Sequence, residues 1–135
     1  MSHVHALRIL RYLWACPNTA VGALLVPCAL IRGGLRVVDG VVEIHGPALA
    51  WMLRQCVPIH GGAAAITFGH IVAGCDEDAL EMTRTHERVH VRQCECWGPL
   101  FIPAYLGASL LAWLRGADAY DGNYFERQAR TVGVG

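Results

Sequence analysis

Lysine is absent from this 135-residue chain: all eleven basic residues are arginine, scattered in ones and twos, and they match eleven acids for a formal net charge of zero. A nucleic-acid groove needs a basic stripe interleaved with aromatics, and none is present, so nucleic-acid binding is excluded as an expectation. With the charges balanced, no overall field steers a polyanionic partner toward the chain either. Charge of either sign is scarce at 16%, whereas hydrophobic residues reach 54% and the mean hydropathy is +0.35. That balance points toward a membrane. The sequence shows no clear cleavable secretory signal, no internal repeat and no low-complexity tract. A lipidation motif is lacking too, since Val26 and Pro27 precede Cys28.

Six cysteines, Cys16, Cys28, Cys56, Cys75, Cys94 and Cys96, are even in number but irregularly spaced, which favours reduced, buried thiols over a disulfide framework. Cys94 and Cys96 are separated by about 200° on a helix and are badly placed to chelate one metal.

The length suits one domain, taken as residues 1–135. Residues 12–31 carry no charge and are flanked by Arg8, Arg11 and Arg32. This stretch reads as a membrane segment, as a buried helical hairpin broken near Pro17-Asn18, or as an uncleaved signal anchor. His3 and His5 fall in a terminal segment expected to be disordered. Residues 35–44 place Asp39-Gly40 between two β-branched runs and predict a tight hairpin. Residues 48–55 predict a short helix, and residues 63–74 a further strand closed by glycine, completing a β-rich part over 35–74.

Asp76, Glu77 and Asp78 supply a cap and first-turn acids for a helix over 76–97, stopped by Gly98-Pro99. Residues 98–114 are again uncharged, a second candidate for membrane contact or core burial, able to fold back antiparallel onto the preceding helix. A polar loop then leads into a last helix over 123–130. The reading is α+β: a small sheet packed on one long helix, with apolar helices around it.

That long helix carries His86-Glu87-Arg88-Val89-His90. Residues four apart share a helix face, so His86 and His90 direct two imidazoles at one point, as tetrahedral zinc requires. Glu87 lies about 100° round from His86, where it can act as general base on water activated by the metal without being a ligand. Catalytic zinc usually takes three protein ligands. Glu126 on the last helix is the first choice for the third, although Asn123-x-x-Glu126 also has capping-box spacing. His60 and His70 precede the motif, and His70 can line a cleft or serve as a fourth ligand. Asp118 and Asp121 can ligate or form a turn. Tyr120 and Tyr124 can donate to a developing oxyanion. Gln93 extends the histidine face and can steady a ligand from behind.

His86, Glu87, His90 and Glu126 together resemble the zincin metallopeptidases, and within them the gluzincins, in which a glutamate on a later helix completes the site. The resemblance implies a zincin-like fold, a zinc cofactor held by His86, His90 and Glu126, and hydrolysis of peptide bonds in a peptide or protein substrate with Glu87 as base. Here the third-ligand glutamate stands in NYFERQAR, with no acid four residues on, unlike the usual gluzincin pattern. More loosely, THERVHVRQCECWGPLFIPAYL followed by NYFERQA is similar to a group of small membrane-associated bacterial proteins, which implies residence at the bacterial inner membrane, with the cytoplasm as second choice. The alternative is a non-catalytic membrane or scaffold protein whose zinc site is structural.

Overall fold

In a computed structural model the chain is described over residues 3–57 and 62–133. Among these residues six helices and four strands run in the order α1 (His3–Ala23), α2 (Val26–Leu30), β1 (Gly34–Val38), β2 (Val41–His45), α3 (Pro47–Gln55), β3 (Ala65–Phe68), β4 (Ile71–Gly74), α4 (Glu77–Trp97), α5 (Phe101–Leu114) and α6 (Tyr124–Gly133), with a 3-10 turn, Gly98–Leu100, between α4 and α5. The class is α+β, with a small mixed sheet.

The sheet order is β1-β2-β4-β3. Asp39 and Gly40 both take positive φ, 52° and 78°, so the expected two-residue hairpin closes at Val38↔Val41 with the backbone twist that paired strands require. The segment 63–74 forms two strands where one was expected. Gly69, at φ 62°, opens a two-residue turn with His70, and Phe68 pairs with Ile71. Glycine at the first turn position allows this reversal inside an otherwise β-branched run. β2 and β4 then pair in parallel, bringing Val42 beside Ile71.

Strand alternation divides the sheet into two faces. Ile44, Ile71 and Ala73 pack against Ala29 and Leu49 from α2 and α3. On the opposite face Val41 and Val72 pack against Leu80 and Val91 of α4. Glu43 and Thr67 share the parity of this second face and therefore meet α4. Asp76 caps that helix by accepting from Ala79 N at 2.7 Å, and glycine at Gly74 lets it approach closely: a Cβ there would lie 2.6 Å from Leu80 Cγ.

Two helices differ from expectation. α1 begins at His3, so His3 and His5 lie in regular helix, and it runs through Pro17 to Ala23 without the break that the hairpin alternative placed there. Tertiary anchors override the proline: buried Asn18 donates from Nδ2 to Gly98 O at 2.7 Å, and Tyr12 donates from its hydroxyl to Gly40 O at 2.6 Å. α5 does not fold back onto α4; α6 takes that place, and only Phe101 and Ala112 of α5 are buried. The continuous helical run Glu77–Leu114 contains a stretch long and apolar enough to cross a membrane by length and composition, of which 17% is buried. All six cysteines are free, as expected, but only Cys94 is buried; Cys16, Cys56 and Cys96 are exposed.

Candidate metal centre

His86 and His90 sit one turn apart on α4, and α6 lies against that helix. Asn123 caps α6 by accepting from Phe125 N at 2.8 Å, while its own N–H donates to Tyr120 O at 3.1 Å. No reciprocal capping bond holds Glu126, whose side chain turns to the histidine pair. His86 Nε2 lies 3.0 Å from Glu126 Oε2 and His90 Nε2 3.1 Å from Oε1, with the two Nε2 atoms 3.3 Å apart. His86, His90 and Glu126 form a group with metal-ligand atoms mutually within 4.8 Å, and Glu126 and His90 are buried.

These spacings fit zinc. Bonds of about 2.0–2.1 Å in a tetrahedron put ligand atoms about 3.3 Å apart, which is the observed separation of the two imidazole nitrogens.

The surrounding bonds also fix the chemistry of the donors. Gln93 Nε2 donates to Phe125 O at 3.0 Å and to Gln128 Oε1 at 2.8 Å, so Gln93 Oε1 is left to accept from His90 Nδ1 at 2.8 Å. Neutral His90 therefore carries its proton on Nδ1 and aims the Nε2 lone pair at the cluster, the tautomer a metal needs. Tyr105, from α5, donates to Glu126 Oε1 at 2.7 Å. Burial by itself would raise the Glu126 carboxyl, but its bonds to His86 and His90 outweigh that and hold it well below the ordinary carboxylate value. Burial also works against a charged His90, yet Glu126 and Glu87 outweigh it and raise its pKa. A cation held by these atoms would compete with a proton for them. We expect Gln93→Leu to weaken metal affinity about 10–100-fold, read by chelator competition.

Glu87 is anchored on the sheet side of this group. Thr67 Oγ1 donates to Glu87 Oε2 at 2.6 Å, and among the described residues this is the carboxylate's one hydrogen bond. Burial raises the Glu87 pKa, against the opposing pull of His90 and Thr67. A carboxyl raised in this way takes up a proton more readily near neutral pH.

Most of the other candidates lie elsewhere. His70 stacks on Tyr12 with centroids 3.7 Å apart and bonds Glu95 through Nε2 at 2.8 Å, away from the histidine pair. Asp118 accepts from the Tyr120 and Asp121 amides, a turn role, and Asp121 pairs with Arg130. Burial and the Glu126 carboxylate raise the Tyr120 phenol, so Tyr120 borders the group, whereas Tyr124 is exposed. His60 is outside the described residues.

Sequence reasoning missed Thr67 and Tyr105, each a single hydroxyl on an apolar strand or helix with no motif around it. It also missed Glu43. This fully buried carboxylate bonds Arg36 Nε at 3.2 Å, Arg84 at 2.8 and 2.9 Å and Arg88 Nη2 at 2.9 Å, tying α4 to the centre of the sheet. The only available signal was alternation, which places Glu43 among buried neighbours in VVEIH.

Compared with protein-family models, with curated proteins and with solved structures, the chain matches none.

Proposed function

We propose that this protein is a small zinc-dependent, membrane-associated peptidase of zincin-like design, with His86, His90 and Glu126 holding one Zn2+ and Glu87 acting as general base. The observation that carries the reading is two facing Nε2 atoms 3.3 Å apart with a Glu126 carboxylate oxygen 3.0–3.1 Å from each, and His90 held by Gln93 in the metal-binding tautomer.

A zinc ion held by His86, His90 and Glu126 would supply Lewis acidity, the property that lowers the pKa of water toward about 7. Glu87 accepts the proton of the attacking water as its oxygen bonds to the carbonyl carbon. The same carboxyl then delivers that proton to the amide nitrogen as the C–N bond breaks, leaving a carboxylic acid and an amine. Thr67 keeps one Glu87 oxygen occupied and so orients the other for this transfer. Tyr105 holds the Glu126 carboxylate across both histidines. The exposed apolar helices support association with a membrane, the bacterial inner membrane in this reading.

Elemental analysis tests the centre. Purified wild type is expected to contain one zinc per chain, and His86→Ala and Glu126→Ala almost none. Zinc-free wild type, or a Glu126→Ala protein with full zinc, would overturn the assignment.

A further inference from the structure

We infer that α5 and the outer face of α1 insert together into one leaflet of a lipid bilayer, so that the metal centre works at the membrane surface on peptide bonds in membrane-anchored chains. The substrate half of this inference rests on the peptidase reading; the insertion half rests on the surface alone.

α1 turns Ala15, Asn18 and Gly22 inward. Its opposite face, continued into the following turn, carries Leu10, Leu13, Trp14, Val21 and Leu24, between 42% and 77% exposed, with no charged residue from Tyr12 to Ile31. On α5 the polar groups face inward: Tyr105 reaches Glu126, and Ser109 Oγ accepts from Asn123 Nδ2 at 2.7 Å. Leu106, Leu110, Trp113 and Leu114 face outward, each more than half exposed. α1 meets the turn that opens α5 where Trp14 lies on the Gly98 backbone, two residues before exposed Leu100, and donates from Nε1 to Cys96 O at 3.2 Å.

The chemistry of the border selects the occupant. A protein partner is met by an apolar centre with a polar rim of hydrogen-bonding groups all round. Here exposed arginines flank the uncharged lengths: Arg8 and Arg11 within α1 just before its uncharged part, Arg32 after α2, and Arg115 after α5. Arginines there suit lipid phosphates, while the uncharged lengths between them suit acyl chains. Depth follows from length. Fourteen residues of α5 extend about 21 Å, less than the hydrocarbon core of about 30 Å, and the Glu77–Leu114 run reaches a spanning length only by drawing on residues before Phe101, so α5 by itself enters one leaflet. α4 stays outside, held by Glu43 through Arg84 and Arg88. Because Tyr105 on the inner side of α5 touches Glu126, insertion brings the histidine pair to the headgroup level, where a segment leaving the bilayer passes.

Sedimentation with vesicles of phosphatidylethanolamine and phosphatidylglycerol, and quenching of tryptophan fluorescence by phosphatidylcholine brominated at mid-chain, test insertion. Wild type is expected to pellet with the vesicles and to be quenched. Leu110→Glu and, independently, Leu13→Glu should each lower partitioning at least about tenfold with zinc content unchanged, whereas Leu35→Glu on the sheet edge should not. Wild type left unquenched in the supernatant, or a dimer that shields α5 from the vesicles, would overturn insertion. With insertion established, faster cleavage of a vesicle-anchored peptide than of its soluble counterpart is expected; equal rates would overturn the substrate assignment. Zinc-free protein that still inserts removes the peptidase reading and leaves insertion standing, and zinc-loaded protein that stays soluble does the reverse.

Discussion

Glu87→Gln is expected to keep one zinc per chain while peptide hydrolysis falls by about 10²–10⁴-fold. The two halves of that outcome have separate causes. Glu87 bonds Thr67 on the sheet, whereas the ligand atoms belong to His86, His90 and Glu126, so an amide in place of the carboxylate leaves the donors where they are. The substitution removes the group able to accept and return a proton. The new amide oxygen can still receive the Thr67 hydrogen bond, so the α4–β3 contact persists and the variant should fold. Elemental analysis beside a peptide-cleavage assay reads both halves. Loss of zinc in Glu87→Gln would mean that Glu87 is a ligand, and undiminished hydrolysis would mean that the base lies elsewhere.

Glu43→Ala is expected to be the most damaging single change for stability, at about 3 kcal/mol, measured by denaturant unfolding. Glu43 is fully buried and neutralises three arginines that belong to β1 and α4. Removing it leaves guanidinium groups against the sheet without their buried counter-charge, Arg36 keeping the exposed Glu81 at 3.7 Å, and among the described residues Arg36 Nη2 and Arg88 Nη1 are already buried without a hydrogen-bond partner. The figure sits at the low end of the range for broken buried pairs because the Arg36 and Arg84 side chains remain 35% and 30% exposed and keep some water. A pH dependence follows. Burial alone would raise the Glu43 carboxyl, but Arg84 and Arg88 outweigh it and hold its pKa below the ordinary value. A depressed folded-state pKa contributes stability that is present above the unfolded carboxylate value of about 4.3 and lost as pH falls through the folded value. Wild type should therefore lose stability on acidification below about pH 4, and Glu43→Gln, lower at neutral pH, should lose less over that interval. Parallel acid titrations of the two proteins would contradict this role.

What could be read from the chain alone was whatever depends on local chemistry. Asp39-Gly40 marked the first hairpin because both residue types tolerate positive φ, Asp76 marked the start of α4, and Gly98-Pro99 marked its end. The i, i+4 pair of His86 and His90 was legible for the same reason: helix geometry sets their relation once the helix exists. Reading failed where a long-range contact competes with a local tendency. One reading of residues 12–31 broke the helix at Pro17, and the bonds of Asn18 and Tyr12 to the 3-10 turn and the first hairpin hold α1 intact. Gly69 passed unnoticed in a β-branched run, yet the turn it opens makes β4 the strand that pairs with β2.

For the candidate site the division is sharper. Sequence supplied the residue types and named Glu126, but capping and ligation have the same spacing, and local pattern cannot separate them. The packing of α6 on α4 decides between them by aiming the carboxylate at two imidazoles while Asn123 caps the helix without it. Thr67, Tyr105 and the Glu43 cluster belong wholly to tertiary structure, because each joins residues 7 to 45 positions apart that only the sheet and the two packed helices bring within hydrogen-bonding distance.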